Sequence, residues 1–144
     1  MTKKNSITDS EHQVLRVIWA QGATTSRFVI DSLSEKTGWK PTTIKTLLHR
    51  LVNKGYLATE KKGGQYLYHP LISEASSQAA DINNLLKQHC RTHADQLIID
   101  MIKQSDLDQG MQDNIFQALR DKDLVPTVTC HCIPGQCECH KDIG

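Results

Sequence analysis

Four of the chain's five cysteines fall in its last fifteen residues, in the run Cys130-His131-Cys132-Ile133-Pro134-Gly135-Gln136-Cys137-Glu138-Cys139. Two Cys-x-Cys pairs flank a four-residue turn, so the run can fold back on itself and aim four sulfurs at one point. Thiolates are soft ligands that suit Zn(II) and especially Cu(I), whereas Mg(II) and Ca(II) prefer oxygen. The one-residue spacer is tighter than that of many structural zinc sites and also suits clusters in which ions share sulfurs. A pair of disulfides is the competing chemistry. The opening residues carry no apolar leader and no cleavage site, and no stretch reaches the roughly 20 apolar residues that span a bilayer. We therefore expect a cytoplasmic protein without a membrane partner, where reducing conditions favour metal ligation over disulfides. Cys90, alone in a helical stretch, reads as a small buried hydrophobe. His89, His93, His131 and His140 read as surface or capping residues, since four thiolates already complete a site. Such a closed site leaves no position for substrate. With no nucleophile–base pair or phosphate-binding glycine loop either, an enzyme is not expected.

Something must position that hook, and the charge pattern suggests what else the chain carries. The formal charge of the whole chain is +1, yet Lys36, Lys40, Lys45, Arg50, Lys54, Lys61 and Lys62 face a single acid, Glu60, within residues 36–62. That segment carries +6, leaving −5 for the remainder. A basic patch on an otherwise acidic protein is the footprint of a polyanion-binding surface. A solvated helix face is the alternative, and the local elements weigh against it.

Thr8 and Glu11 have capping-box spacing, and Val14, Leu15, Ile18 and Trp19 form one apolar face before Gly22. A second helix starts near Thr24 or Thr25, turns Phe28, Val29 and Leu33 inward, and stops at Gly38. The third has Pro41 at its first position, where a missing N–H costs nothing, and runs to Gly55. Tyr56 to Thr59 and Gln65 to His69 read as strands joined by the basic turn Glu60-Lys61-Lys62-Gly63-Gly64. Three helices and a basic hairpin make a winged helix-turn-helix. At about 100° per residue, Leu47, Leu48 and Leu51 lie within about 60° of Ile44, a core stripe with Val52 at its edge. Thr42, Thr46, His49 and Asn53 lie opposite, with Thr43 and Arg50 on one shoulder and Lys45 on the other. Short hydroxyl side chains read base edges and cations reach phosphate or guanine, so this face is a candidate for DNA.

The run Gly38-Trp39-Lys40-Pro41-Thr42-Thr43-Ile44-Lys45-Thr46-Leu47-Leu48-His49-Arg50-Leu51-Val52-Asn53-Lys54-Gly55-Tyr56-Leu57 resembles the recognition helix of the BlaI/MecI family of penicillinase repressors. The opening Ile7-Thr8-Asp9-Ser10-Glu11 and Trp19 fit the same family, and the cysteine tail resembles its copper-responsive, CopY-type branch. That resemblance implies a cytoplasmic homodimer that represses copper-export genes from a palindromic TACA…TGTA operator. It implies Zn(II) in the DNA-bound form and Cu(I) as the inducer that displaces it, with a copper chaperone as a further partner. The implied contacts to double-stranded DNA are Thr42, Thr43, Lys45, Thr46 and Arg50, with Lys61 and Lys62 from the wing. The implied metal ligands are Cys130, Cys132, Cys137 and Cys139. Penicillinase repressors lack this tail and are inactivated through a sensor protease, a trigger that does not carry over.

Between wing and hook, Ser73 can cap a helix bearing Ala75, Ala79, Ile82, Leu86 and His89. Leu97, Ile98, Met101 and Ile102 form a second apolar patch. Ser105 with Asp108 marks another start, followed by Met111, Ile115, Ala118 and Leu119. Three short amphipathic helices bury little within one chain, so a second copy is expected to complete their core. Folding back on the DNA-binding domain as a monomer is the alternative. The expected organisation is a mainly α chain: a winged helix-turn-helix DNA-binding domain over 1–72, a helical dimerisation region over 73–121, and a linker with the metal-binding tail over 122–144. A thiolate copper or zinc storage or delivery protein, whose basic face binds another protein, is the competing function.

Overall fold

A computed structural model describes residues 6–139. The expectations for the first five residues and for His140 lie outside the described residues.

Helix α1 (Asp9–Gln21) begins as the capping box requires, with the Thr8 side chain accepting from Glu11 N–H and the Glu11 carboxylate accepting from Thr8 N–H. Gly22, at φ 84°, ends it. Two residues then form β1 (Thr24–Thr25) before α2 (Ser26–Thr37), whose N-cap is Thr25 and whose C-cap is Gly38 in the left-handed region. Helix α3 (Pro41–Asn53) carries Pro41 at its start. Strands β2 (Leu57–Lys62) and β3 (Gln65–Pro70) follow. The three strands form one antiparallel sheet in the order β1-β3-β2. The strands run further toward the tip than the sequence suggests. Lys61 and Lys62 are strand residues, and the turn is the Gly63-Gly64 pair, both at positive φ, as a two-residue hairpin with the right-handed strand twist demands.

The core forms where the apolar stripes converge. Val14, Leu15 and Ile18 of α1, Val29 of α2, Ile44, Leu47, Leu48 and Leu51 of α3, and Leu57 of β2 are buried together. Every residue of the expected α3 stripe is among them, and Val52 packs at the margin. Phe28 is a correction: it is 41% exposed, so α2 contributes Val29 and half-buried Leu33 instead. Trp19 contributes through its indole N–H, which donates to the Ile72 carbonyl at 2.8 Å and holds the chain where it leaves the wing.

Glu11 is buried beyond its capping role. Lys54, at the C-terminus of α3, sits 2.6 Å from Glu11 Oε1 and also donates to the Ser6 carbonyl at 2.8 Å. Burial by itself would raise the Glu11 carboxyl. The Lys54 ammonium and the Thr8 amide more than offset it and hold the group below its ordinary 4.5. Lys54 is therefore spent inside the fold and leaves the basic surface to its neighbours.

Helices α4 (Glu74–Lys87), α5 (Ala94–Gln104) and α6 (Gln109–Asp121) follow, with a single 3-10 turn, Arg91–His93, before α5. Ser73 caps α4, and its hydroxyl accepts from Ser76 N–H at 3.0 Å. Asp108 caps α6 by accepting from Met111 N–H at 2.9 Å, while Ser105 belongs to the end of α5. His89 lies outside α4. The chain divides into two compact units, Met1–Ala79 and Ala80–Gly144, so the division falls inside α4. No helix among the described residues is long and apolar enough to cross a membrane.

Candidate nucleic-acid interface and thiol cluster

The first unit presents α3 as a two-faced element. Its apolar stripe is consumed by the core, and this leaves Thr42, Thr43, Lys45, Thr46, His49 and Arg50 exposed together. The exposed hydroxyls are not equivalent. Thr46 donates back to the Thr42 carbonyl at 2.9 Å, so its hydroxyl proton is engaged in the helix and its free lone pairs face outward as acceptors. Thr42 and Thr43 lie in the first turn, where main-chain N–H groups also point out of the helix and favour an anion.

The wing separates its two lysines. Successive strand residues project to opposite faces, so Lys61 shares a face with Thr59 and core-buried Leu57, while Lys62 shares the other with Glu60. Glu60 itself bonds His69 Nε2 at 2.8 Å across the ribbon, which leaves it partly occupied. Both lysines are exposed.

The thiol chemistry lies wholly in the second unit. Ile133-Pro134-Gly135-Gln136 forms a tight turn, with Gln136 N–H donating to the Ile133 carbonyl and the Gln136 side-chain oxygen accepting from Ile133 N–H, both at 2.9 Å. Pro134 supplies the fixed φ of the second position, and Gly135 at φ 103° takes the third, which a side chain would strain. This turn folds one Cys-x-Cys arm onto the other and brings Cys130 Sγ to 3.4 Å from Cys137 Sγ. Cys132 N–H points at Cys130 Sγ at 3.4 Å, as a donor suited to a thiolate.

Cys90 is the residue the sequence reading missed. It is half-buried instead of enclosed, just before the 3-10 turn, with its sulfur 3.8 Å from that of Cys130 and 3.7 Å from that of Cys139. The sulfurs of Cys90, Cys130, Cys132 and Cys137 all lie within 4.8 Å of one another. None of the five cysteines forms a disulfide. The one sequence signal for Cys90 was an odd cysteine beside an even-numbered hook; nothing local distinguishes it from a packing residue.

Hydrogen bonding and crowding shift the thiols of the cluster in opposite directions. Hydrogen bonds from the Thr92 hydroxyl and main-chain N–H, outweighing burial, pull the Cys90 thiol down to about 6. Burial, then the crowding of Cys130 and Cys90, pushes Cys132 up to about 11. At Cys137 the Cys139 amide favours the thiolate, but burial and the adjacent Cys130, Cys139 and Cys132 thiols together drive the group upward. Adjacent thiolates repel one another, and a bound cation removes that repulsion. Arg91, which follows Cys90, has its Nη1 2.8 and 3.0 Å from the two ring nitrogens of His131, which follows Cys130. Four thiolates about 2.3 Å from one tetrahedral ion require sulfur separations of about 3.8 Å. The nearest sulfur pairs, at 3.4 to 3.8 Å, are close to that scale, and Cys90, Cys130, Cys132 and Cys137 lie within 4.8 Å of one another, so the residues present fit a soft metal ion.

The penicillinase repressor family model matches residues 7–121. The chain is 36% identical over 140 residues, 96% of each chain, to an uncharacterised 16.5 kDa protein of Latilactobacillus sakei. It is 28% identical over 121 residues to the penicillinase repressor of Bacillus licheniformis, covering 84% of this chain and 94% of that one. Among solved structures, the DNA-binding domain of the repressor BlaI is 39% identical with a TM-score of 0.47, covering 53% of this chain and 93% of that domain. The matched region takes in the whole winged helix and all of α4 to α6, and it stops short of Cys130. The chain therefore belongs to the penicillinase repressor family, a family of transcriptional repressors and not of enzymes.

Proposed function

We propose that this repressor is copper-responsive: that it binds a palindromic operator of copper-export genes as a zinc-loaded dimer in the cytoplasm, and lets go when Cu(I) replaces zinc at the cysteine tail. The observation that carries the reading is the convergence of three tail thiols, Cys130, Cys132 and Cys137, with Cys90, the tail lying beyond the family's common region, on a chain whose α3 offers a polar, cation-flanked face.

On this reading Thr42, Thr43, Lys45, Thr46 and Arg50 meet the major groove, and Lys61 and Lys62 hold the flanking backbone. Thr46, as an acceptor, suits the amino group of adenine or cytosine, and Arg50 suits guanine or phosphate. The apolar side chains left exposed on α4 to α6, among them Ile98, Met111, Phe116 and Leu119, are covered by a second copy. A twofold dimer places two recognition helices on two half-sites of a palindrome.

Cys130, Cys132, Cys137 and Cys139 hold the metal in this reading. A bound ion supplies a rigid cross-link between thiolates. Zn(II) with four thiolates and two Cu(I) with the same four have equal net charge, so repulsion of DNA does not distinguish them. Geometry does, because the softer ion accepts fewer sulfurs and shares them. The turn at Pro134-Gly135 is the element whose shape would register that difference.

The test is operator binding by the zinc-loaded protein before and after Cu(I) addition, at one salt concentration. Release on copper is the expected result. Tight, salt-sensitive DNA binding that ignores both metals would leave a repressor without this trigger. Metal binding without affinity for duplex DNA would favour a thiolate storage or delivery protein.

A further inference from the structure

We infer that Cys90 is a ligand of the tail's metal, so that the ion fastens the tail to the root of α5 instead of ordering the tail alone. This rests on the proposal that the thiol cluster binds metal, and adds a residue from outside the tail.

Three observations carry it. Cys90 contacts both arms of the hook, Cys130 at 3.8 Å and Cys139 at 3.7 Å, so it faces the point on which the arms converge. The mutually close set of four sulfurs contains Cys90 and three tail cysteines. Its surroundings suit a coordinated thiolate: Thr92 Oγ1 lies 3.0 Å from Cys90 Sγ, and Arg91, next in sequence, bonds His131, the neighbour of Cys130. An outer group that orients a ligand and stabilises its charge is a regular part of a metal site.

The consequence follows from chain connectivity. Cysteines 130–139 lie so close in sequence that an ion bound to them alone orders a short loop. Cys90 and Cys130 are separated by 40 residues, and α5 and α6 lie entirely between them. Ligation by both closes that loop and restricts the two helices, because closing a long loop removes much of its conformational freedom. Five thiols also exceed the four that a tetrahedral zinc ion uses, which leaves one to bridge when two or more Cu(I) ions bind.

Co(II) titration of full-length protein decides the matter through the near-ultraviolet sulfur-to-cobalt absorption, which scales with the number of bound thiolates. In Cys139→Ser, the four remaining thiols are Cys90 and three tail cysteines. The expected result is that adding Cys90→Ser to the Cys139→Ser protein removes about a quarter of that protein's absorption, four thiolates becoming three. Equal intensity in the single and double variants would overturn the inference while leaving the tail a metal site. No thiolate absorption in the wild type would overturn this inference and the metal reading together. A second measurement needs no substitution. Alkylation of Cys90 in the wild type should slow about tenfold or more on zinc loading, in step with Cys130, because a coordinated sulfur is not a free nucleophile. Protection of Cys130 with unchanged labelling of Cys90 would refute the role of Cys90.

Discussion

The two halves of this chain solve the problem of burial in opposite ways. Among the described residues, every buried apolar side chain lies between Val14 and Leu57, packed into one core beneath α3. Helices α5 and α6 are just as amphipathic in pattern, yet no residue of either is buried, and Phe116 is 48% and Leu119 63% exposed. The winged helix spends its apolar surface internally and presents polar side chains outward, as a module that meets a charged polymer must. The second unit keeps its apolar surface in reserve and concentrates its polarity in a knot of sulfur. The contrast teaches that one module encloses its apolar surface within the single chain, whereas the other leaves much of it exposed.

The largest expected effect separates the halves by their response to substitution. Leu48→Ala, in the fully buried stripe, should cost about 2–5 kcal/mol in chemical denaturation, since a cavity is left behind. Phe116→Asp should leave the winged helix folded and act on association, which sedimentation would show as a shift from dimer to monomer. A Phe116→Asp protein that remained dimeric would break the comparison.

A smaller effect concerns Glu11, the one charged residue buried among the described residues. Lys54→Ala strands the Glu11 carboxylate in the core and should cost roughly 3 kcal/mol, at the low end for a broken buried pair because Lys54 is itself partly solvated. The pH dependence has a definite sign. The folded Glu11 carboxyl lies below its ordinary 4.5, so its stabilisation is present above that value and lost as pH falls through the folded value. Glu11→Gln should flatten that acid limb, and an unchanged limb would place the acid sensitivity elsewhere.

The smallest effects sharpen the DNA face. Arg50→Ala and Thr46→Ala should each cost about 1–3 kcal/mol of operator binding and relax one operator position. Lys61→Ala should weaken all duplexes alike and lower the salt slope by about one unit. If Lys62→Ala alone did so, the opposite face of the wing meets the DNA.

What could be read from the sequence is what depends on near neighbours. The Thr8–Glu11 capping box, the Pro41 start of α3, the Ile44–Leu51 stripe and the Pro134-Gly135 turn each involve residues within about one or two turns of chain, where spacing alone sets geometry. The expected winged helix-turn-helix followed from such pieces. Phe28 was misjudged because residues on one helix edge differ in burial only through what packs against them.

Tertiary structure decided the pairings that cross the chain. Thr24 pairs with Tyr68 in the sheet, Glu11 with Lys54 over 43 residues, and Cys90 with Cys130 over 40. None carries a local signature: a lysine in a basic run looks solvated, and a cysteine after a helix looks like packing. By itself the sequence determined which residues could form helices, a hook and a recognition face. Closure of the chain decided which lysine the core withdrew from that face and which fifth sulfur joined the hook, because bringing distant residues together depends on the packing of everything between them.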